Sequence, residues 1–167
     1  EHITVIGNSL DEKYYDTISK LSLSKEAVEK VGKDFKIVYS PIHGSGYVPV
    51  TTMLARMGIN VSVVEEQKYP DTEFSTVVMP NPEQPDALKM GINLANKLGS
   101  DIVIGTDPDC DRMGIAIRDD KGEFMLLNGN QIGAMLMDYI LNRHKEMGTL
   151  PKNSAVVKTI VTTRLAD

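Results

Sequence analysis

Apolar residues first recur at helical spacing. Ser9-Leu-Asp-Glu12 is an S-x-x-E capping box that predicts a helix start, and Tyr14, Ile18 and Leu21 then share one face. Ser24 is placed to cap a second, shorter helix over 25–31 that stops at Gly32. After that the period changes. Residues 35–39 (Phe-Lys-Ile-Val-Tyr) are aromatic and β-branched, and Asp34 and Pro41 bound them, which predicts a strand running into a loop over 40–46. A helix over 48–57 follows, with Pro49 in its first turn and Gly58 as its stop. Next come a strand over 61–64, a Pro-rich loop over 69–85, a helix over 86–98 and a strand over 101–105. Strands and helices alternating at this spacing mark parallel βαβ units, so the core is α/β.

Beyond the third strand the order alters. Residues 113–118 and 123–127 flank Asp119-Asp-Lys-Gly122, which predicts an antiparallel hairpin. A long helix over 131–145 carries Ile132, Met135, Leu136, Tyr139 and Ile140 in one stripe and ends before Gly148 and Pro151. Residues 155–161 have a strand pattern, and the last residues up to Asp167 suit the first turn of a further helix. The expected fold class is α/β: a mixed, mainly parallel sheet flanked by helices in three layers, with a C-terminal β-hairpin and an incomplete following domain. A strand pattern with nothing after it to cover its faces suggests a chain cut from something larger. Ala155, Val157, Ile160 and Val161 are therefore expected to be exposed, swapped or used in a dimer contact.

Composition narrows the function classes. The 167 residues are 41% hydrophobic and 25% charged, inside the ordinary globular range. Lys plus Arg number 18 against 23 for Asp plus Glu, a net charge of −5, which is the wrong sign for a nucleic-acid surface. No apolar run exceeds four residues, far below the roughly 20 that span a bilayer, so no membrane partner is expected. The one cysteine, Cys110, cannot form an intrachain disulfide, which agrees with a reducing compartment and a cytoplasmic location. The nine methionines are expected to fill gaps in the core.

The most informative stretch is Gly105-Thr-Asp-Pro-Asp-Cys-Asp-Arg112. Asp107, Asp109 and Asp111 stand at alternate positions just past a core strand, where open α/β sheets bind their ligands. Three such charges repel one another unless a cation intervenes, and all-oxygen carboxylate ligation suits Mg²⁺. Arg112 adds a cation suited to phosphate. An EF-hand is excluded, because its glycine and glutamate places hold Arg112 and Arg118. A dehalogenase-type phosphatase needs Thr or Val where this chain, counted from Asp109, has Met113. That Mg²⁺-dependent phosphatase remains the competing enzyme class, and a non-catalytic module for metal or sugar phosphate is the competing binding class. Gly44-Ser-Gly46 imitates a dinucleotide fingerprint, but Pro49 takes the third glycine place. His43 reads as a loop histidine bonded to backbone, and Cys110, surrounded by carboxylates, as a structural thiol.

Ser40-Pro-Ile-His-Gly44, Phe74 with Pro80-Asn-Pro-Glu83, the stretch from Asp107 to Arg112 and Val157-Lys-Thr-Ile-Val-Thr-Thr163 together resemble the α-D-phosphohexomutase superfamily, in particular its phosphoglucomutase and phosphopentomutase branch, with phosphomannomutases among its members. The resemblance implies a four-domain enzyme that interconverts sugar 1-phosphates and 6-phosphates (1- and 5-phosphates for pentoses) through a bisphosphorylated sugar, with a phosphoserine on the first domain. It implies Mg²⁺ held by Asp107, Asp109 and Asp111, Arg112 beside the phosphoryl group, Lys158 reaching the site from the next domain, and an activator of the glucose 1,6-bisphosphate type. The expected partners are a sugar phosphate and the other domains of the same chain. Residues 1–121 correspond to the second domain, with a helical lead-in over 9–33, and 122–167 to the truncated start of the third. The family's serine loop is missing, since no Ser-His pair occurs here, so the chain alone is expected to be inactive. Cys110 stands where the family commonly has Ala or Gly.

Overall fold

The computed structural model describes residues 2–164. Helix α1 (Asn8–Ser19) and helix α2 (Lys25–Val31) lead into strand β1 (Lys36–Ser40), helix α3 (Tyr47–Arg56) and strand β2 (Asn60–Val63). A 3-10 turn (Glu65–Gln67) and a long loop precede helix α4 (Pro85–Leu98), strand β3 (Ile102–Thr106), the hairpin strands β4 (Met113–Arg118) and β5 (Phe124–Leu127), and helix α5 (Gly129–Glu146). The five strands form one sheet in the order β2-β1-β3-β4-β5. Strand β1 is parallel to both β2 and β3, whereas β3–β4 and β4–β5 are antiparallel. This is the mixed α/β sheet that the alternating pattern predicts.

Two crossovers set the layers. The path from β1 through α3 to β2 moves one way along the sheet, and the path from β2 through α4 to β3 moves back past β1. Right-handed crossovers in opposite directions place α3 and α4 on opposite faces. The α4 face is the dry core: Val38, Val64, Leu88, Ala95, Val103 and Ala116 are all at most 1% exposed. Leu88 alone contributes about 1.5–3 kcal/mol by leaving water. Val38 and Val103 stand side by side in the β1–β3 register, and Ala116 stands opposite Val103 on β4, so β1, β3 and β4 each feed one fully buried residue into this layer. On the other face α3 packs on β2 and α1, and α5 packs on β4.

Several expectations are corrected. Ser9 lies inside α1 and forms no capping bond; the helix starts one residue earlier after Gly7, and Glu12 instead pairs with Arg56 at 2.7 Å. Tyr15, not Tyr14, is buried, because the Arg56 guanidinium covers its ring at 4.6 Å, while Tyr14 and Leu21 are exposed. Ser24 stands at the start of α2 without capping it, and its hydroxyl accepts from Tyr139. Of the α5 stripe only Ile132 is buried. Met79, Met113, Met125, Met135 and Met147 are exposed, so five of the nine methionines do not fill the core. Residues 155–161 form no strand among the described residues and pair with none of the five strands; Val157 and Ile160 are almost wholly exposed. The end of the chain, where a helical turn is expected, extends beyond the described residues. No helix among them is long and apolar enough to cross a membrane.

Candidate metal centre

Strand β3 ends at Thr106, and the chain turns at once into residues 107–112 before returning along β4. The turn is closed by bonds from Asp107 N–H to the Arg112 carbonyl (3.3 Å) and from Cys110 N–H to the Asp107 carbonyl (3.0 Å). Cys110 takes a left-handed backbone with φ 61°. That conformation costs a non-glycine residue on the order of 1 kcal/mol and turns the chain so that alternate side chains converge. As a result the carboxylates of Asp107, Asp109 and Asp111 each place a ligand atom within 4.8 Å of the others. Asp107 is buried, whereas Asp109 and Asp111 are exposed.

Charge is distributed unevenly over the three. Arg112 gives Asp107 its backbone N–H at 3.0 Å and its Nε at 2.7 Å. Burial works to raise the Asp107 carboxyl, but these two Arg112 donors and the guanidinium charge outweigh it and hold the group below the ordinary carboxylate range. Asp111 moves the other way. The Asp109 charge is the main cause that pushes it up, followed by its own desolvation and the charge of Asp107. Arg112 stands 3.7 Å from Asp111, too far to cancel that repulsion. The donor set fits a hard divalent cation on these observations: three oxygen ligands, one fixed and two exposed, with mutual repulsion that such a cation removes.

Two other loops hold this one in place. Residues 40–46 lie against it: Ser45 donates both its N–H (2.8 Å) and its Oγ (3.1 Å) to the Pro108 carbonyl, and a Cβ on Gly44 would overlap the Pro108 backbone. The Pro80-Asn-Pro-Glu83 segment packs on β4, where a side chain on Gly114 would overlap the Pro82 carbonyl. Glu83 also accepts from the N–H of Gly129 at 2.5 Å, tying the start of α5 to the same corner. Glu83, Arg112, Gly129 and Ile132 line a groove of about 330 Å³ there.

The structure therefore brings Asp107, Asp109, Asp111 and Arg112 together. Lys158 lies in the segment after α5, where its Nζ donates to the Thr163 carbonyl at 3.3 Å. Thr163 in turn donates its N–H to Asn130 in the first turn of α5. His43 is a buried loop histidine bonded to a backbone carbonyl, as its position suggests: Nδ1 is 2.9 Å from the Tyr69 carbonyl and Nε2 is 2.7 Å from Thr76 Oγ1. Gly44-Ser-Gly46 forms a strand-to-helix turn that meets Pro108. Cys110 is a free thiol whose Sγ faces Gly46, near Tyr39, a phenol that burial pushes up to about 12. Spacing alone does not single out Glu83; its place in a Pro-Asn-Pro-Glu turn before a helix is the available signal.

This sheet and corner define an α/β/α domain with an acidic, arginine-flanked loop at the carboxyl end of a core strand. The chain belongs to the phosphoglucomutase/phosphomannomutase family: the sequence profile described as Phosphoglucomutase/phosphomannomutase, alpha/beta/alpha domain II, matches residues 12–122. A phosphoglucomutase of Staphylococcus epidermidis is 41% identical over 134 residues, covering 80% of this chain and 24% of its own. That of Staphylococcus haemolyticus is 36% identical over 161 residues, 93% of this chain and 28% of its own. The chain thus spans about a quarter of the length of these curated relatives. The fold is shared with a provisionally named phosphomannomutase of Thermus thermophilus at 22% identity and a TM-score of 0.62, covering 80% of this chain and 29% of that one.

Proposed function

We propose that this chain is the metal-binding part of a phosphoglucomutase-type enzyme, an intramolecular phosphotransferase acting between the 1- and 6-positions of a sugar phosphate. The observation that carries the reading is the convergence of three carboxylates within 4.8 Å beside Arg112 at the end of β3. Asp107, Asp109 and Asp111 would hold Mg²⁺, which supplies electrostatic stabilisation of a phosphoryl group in transit. Arg112 is fixed by Asp107 and keeps its side chain 57% exposed, so it is available to a phosphoryl oxygen while it orients the buried ligand. Lys158 would bring a second cation to the substrate from the following region. The nucleophile in this reading is a phosphoserine outside these 167 residues, and a sugar bisphosphate of the glucose 1,6-bisphosphate type would restore it. Residues 1–121 would act as the second domain and 122–167 as the start of the third, with β5 completing the sheet of the second.

Titration of Mn²⁺ into the isotope-labelled chain tests the site. Selective broadening of the amides of residues 107–113 is expected, with weak affinity, because three carboxylates leave about half of an octahedron to water. Diffuse broadening over other acidic residues, with 107–113 spared, would refute the assignment. The pure chain should neither turn over glucose 1-phosphate nor hydrolyse p-nitrophenyl phosphate; hydrolysis would favour the dehalogenase-type phosphatase.

A further inference from the structure

Among the described residues, four that are not glycine have a left-handed backbone: Ile42 (φ 43°), His43 (62°), Phe74 (48°) and Cys110 (61°). They fall in three loops that touch. The His43 and Phe74 rings meet edge to face at 6.2 Å, and Cys110 Sγ faces Gly46, three residues beyond His43. A β-branched residue such as Ile42 is a true outlier there, and a fold keeps consecutive residues in that region only when other contacts over-determine them.

The contacts form one directed chain of hydrogen bonds. Ile42 N–H donates to Ser40 Oγ (3.1 Å), and Ser40 Oγ donates to Gln67 Oε1 (2.6 Å). Gln67 Nε2 donates to Thr76 Oγ1 (3.2 Å), which donates to His43 Nε2 (2.7 Å). His43 Nδ1 donates to the Tyr69 carbonyl (2.9 Å), and the His43 N–H donates to the Gln67 carbonyl (2.8 Å). The carbonyl of Tyr69 can only accept, which places a proton on Nδ1; in the neutral tautomer that this selects, Nε2 accepts from Thr76. Ser40 and Gln67 are fully buried and His43 is 6% exposed. The chain runs from the end of β1 to the loop before α4 and back, and its mechanical output is the seating of Gly44 and Ser45 on Pro108, between two of the three candidate ligands.

We infer that His43 is a positioning residue for the acidic loop: its two ring nitrogens lock the left-handed turn that presses Gly44 and Ser45 onto Pro108 and so set the spacing of Asp107, Asp109 and Asp111. This rests on the metal reading of the loop. Its effect on the divalent cation is indirect, through the backbone of residues 43–45, since the ring nitrogens bond to the Tyr69 carbonyl and Thr76 Oγ1 and not to a carboxylate of the triad.

The test compares Mn²⁺ affinity, thermal midpoint and amide exchange in the full 167-residue chain. His43→Ala should weaken Mn²⁺ at least tenfold, in the range seen when supports behind metal ligands are removed, and should speed exchange of the Ser45 and Cys110 amides while unfolding stays cooperative. His43→Asn should recover most of the affinity, because Asn keeps one donor and one acceptor and tolerates a left-handed backbone. Thr76→Val, which removes the bond to Nε2 together with the acceptor of Gln67 Nε2 but leaves the Nδ1 bond to Tyr69, should give a loss of the same sign and carries the test if His43→Ala does not fold. Unchanged Mn²⁺ affinity and unchanged loop exchange in these variants, with Asp109→Asn abolishing binding, would overturn the inference. If Asp109→Asn leaves binding unchanged, the metal reading itself fails, and exchange of Ser45 and Cys110 alone then decides whether His43 positions the loop.

Discussion

The loop after β3 and the turn between β4 and β5 are both short, acid-rich and attached to β4, yet they use their carboxylates differently. In the turn, Asp119 Oδ1 accepts from the N–H groups of Lys121 (2.8 Å) and Glu123 (2.9 Å), so the charge is absorbed by the backbone that carries it. In the loop, Asp107 is absorbed by Arg112, while Asp109 and Asp111 converge with it into one negative cluster. What separates the two is support from outside. The hairpin turn closes on itself, whereas residues 107–112 are held by Ser45 and Gly44 from one side and join a strand packed under Pro82 on the other. An acidic turn becomes a candidate cation site when neighbours hold it in a shape that its own carboxylates disfavour.

The largest expected effect breaks that support. Gly44→Val forces a side chain into the Pro108 backbone and should cost about 3 kcal/mol in denaturant unfolding, at the upper end for overpacking. Gly122→Ala in the hairpin turn meets open space and should cost only about 1 kcal/mol, for its positive φ. Next in size, Asp107→Ala should cost about 2 kcal/mol because it leaves the Arg112 N–H without its acceptor in a buried corner, against about 1 kcal/mol for Asp119→Ala, which removes a backbone cap.

The third prediction separates charge from structure. Asp109→Asn with Asp111→Asn should abolish Mn²⁺ binding, read by relaxation enhancement, without lowering the thermal midpoint of the metal-free chain; Asp119→Asn with Asp120→Asn should leave binding unchanged. The smallest effect is in pH. Because the Asp111 carboxyl is raised in the folded chain, the unfolded chain gives up that proton first, and stability falls as pH rises from the ordinary carboxylate value through the raised one. Asp107 acts oppositely at lower pH: its lowered carboxyl contributes stability that is lost as pH falls through its folded value. Carboxyl NMR titrations with and without Mn²⁺ check both directions, and Mn²⁺ should remove the Asp111 shift.

The sheet and its helices were legible because burial imposes a period. Residues 35–39 and 101–105 read as strands and occur at Lys36–Ser40 and Ile102–Thr106, one residue later. The pattern failed where apolar residues had no surface to meet. The α5 stripe and residues 155–161 have the periodicity of buried elements, but periodicity cannot report whether a partner is there. It failed at caps for a related reason: Ser9 and Glu12 satisfy a local motif, yet Arg56, distant in sequence, takes the glutamate. The capping box that does form, Asn128 with Gln131, uses residue types less often associated with it.

The sequence by itself determined the α/β order, the acidic triad's alternation and its flanking arginine, since these depend on neighbours within a few residues. Only the tertiary structure decided that Cys110 turns left-handed, that Asp107 is buried while its two companions are exposed, and that Ile42, His43, Gln67 and Thr76 form one frame behind Pro108. The reason is physical. Local spacing sets where a side chain can point, but the strain of a left-handed residue and the repulsion between carboxylates are sustained only by contacts from strands and loops far along the chain.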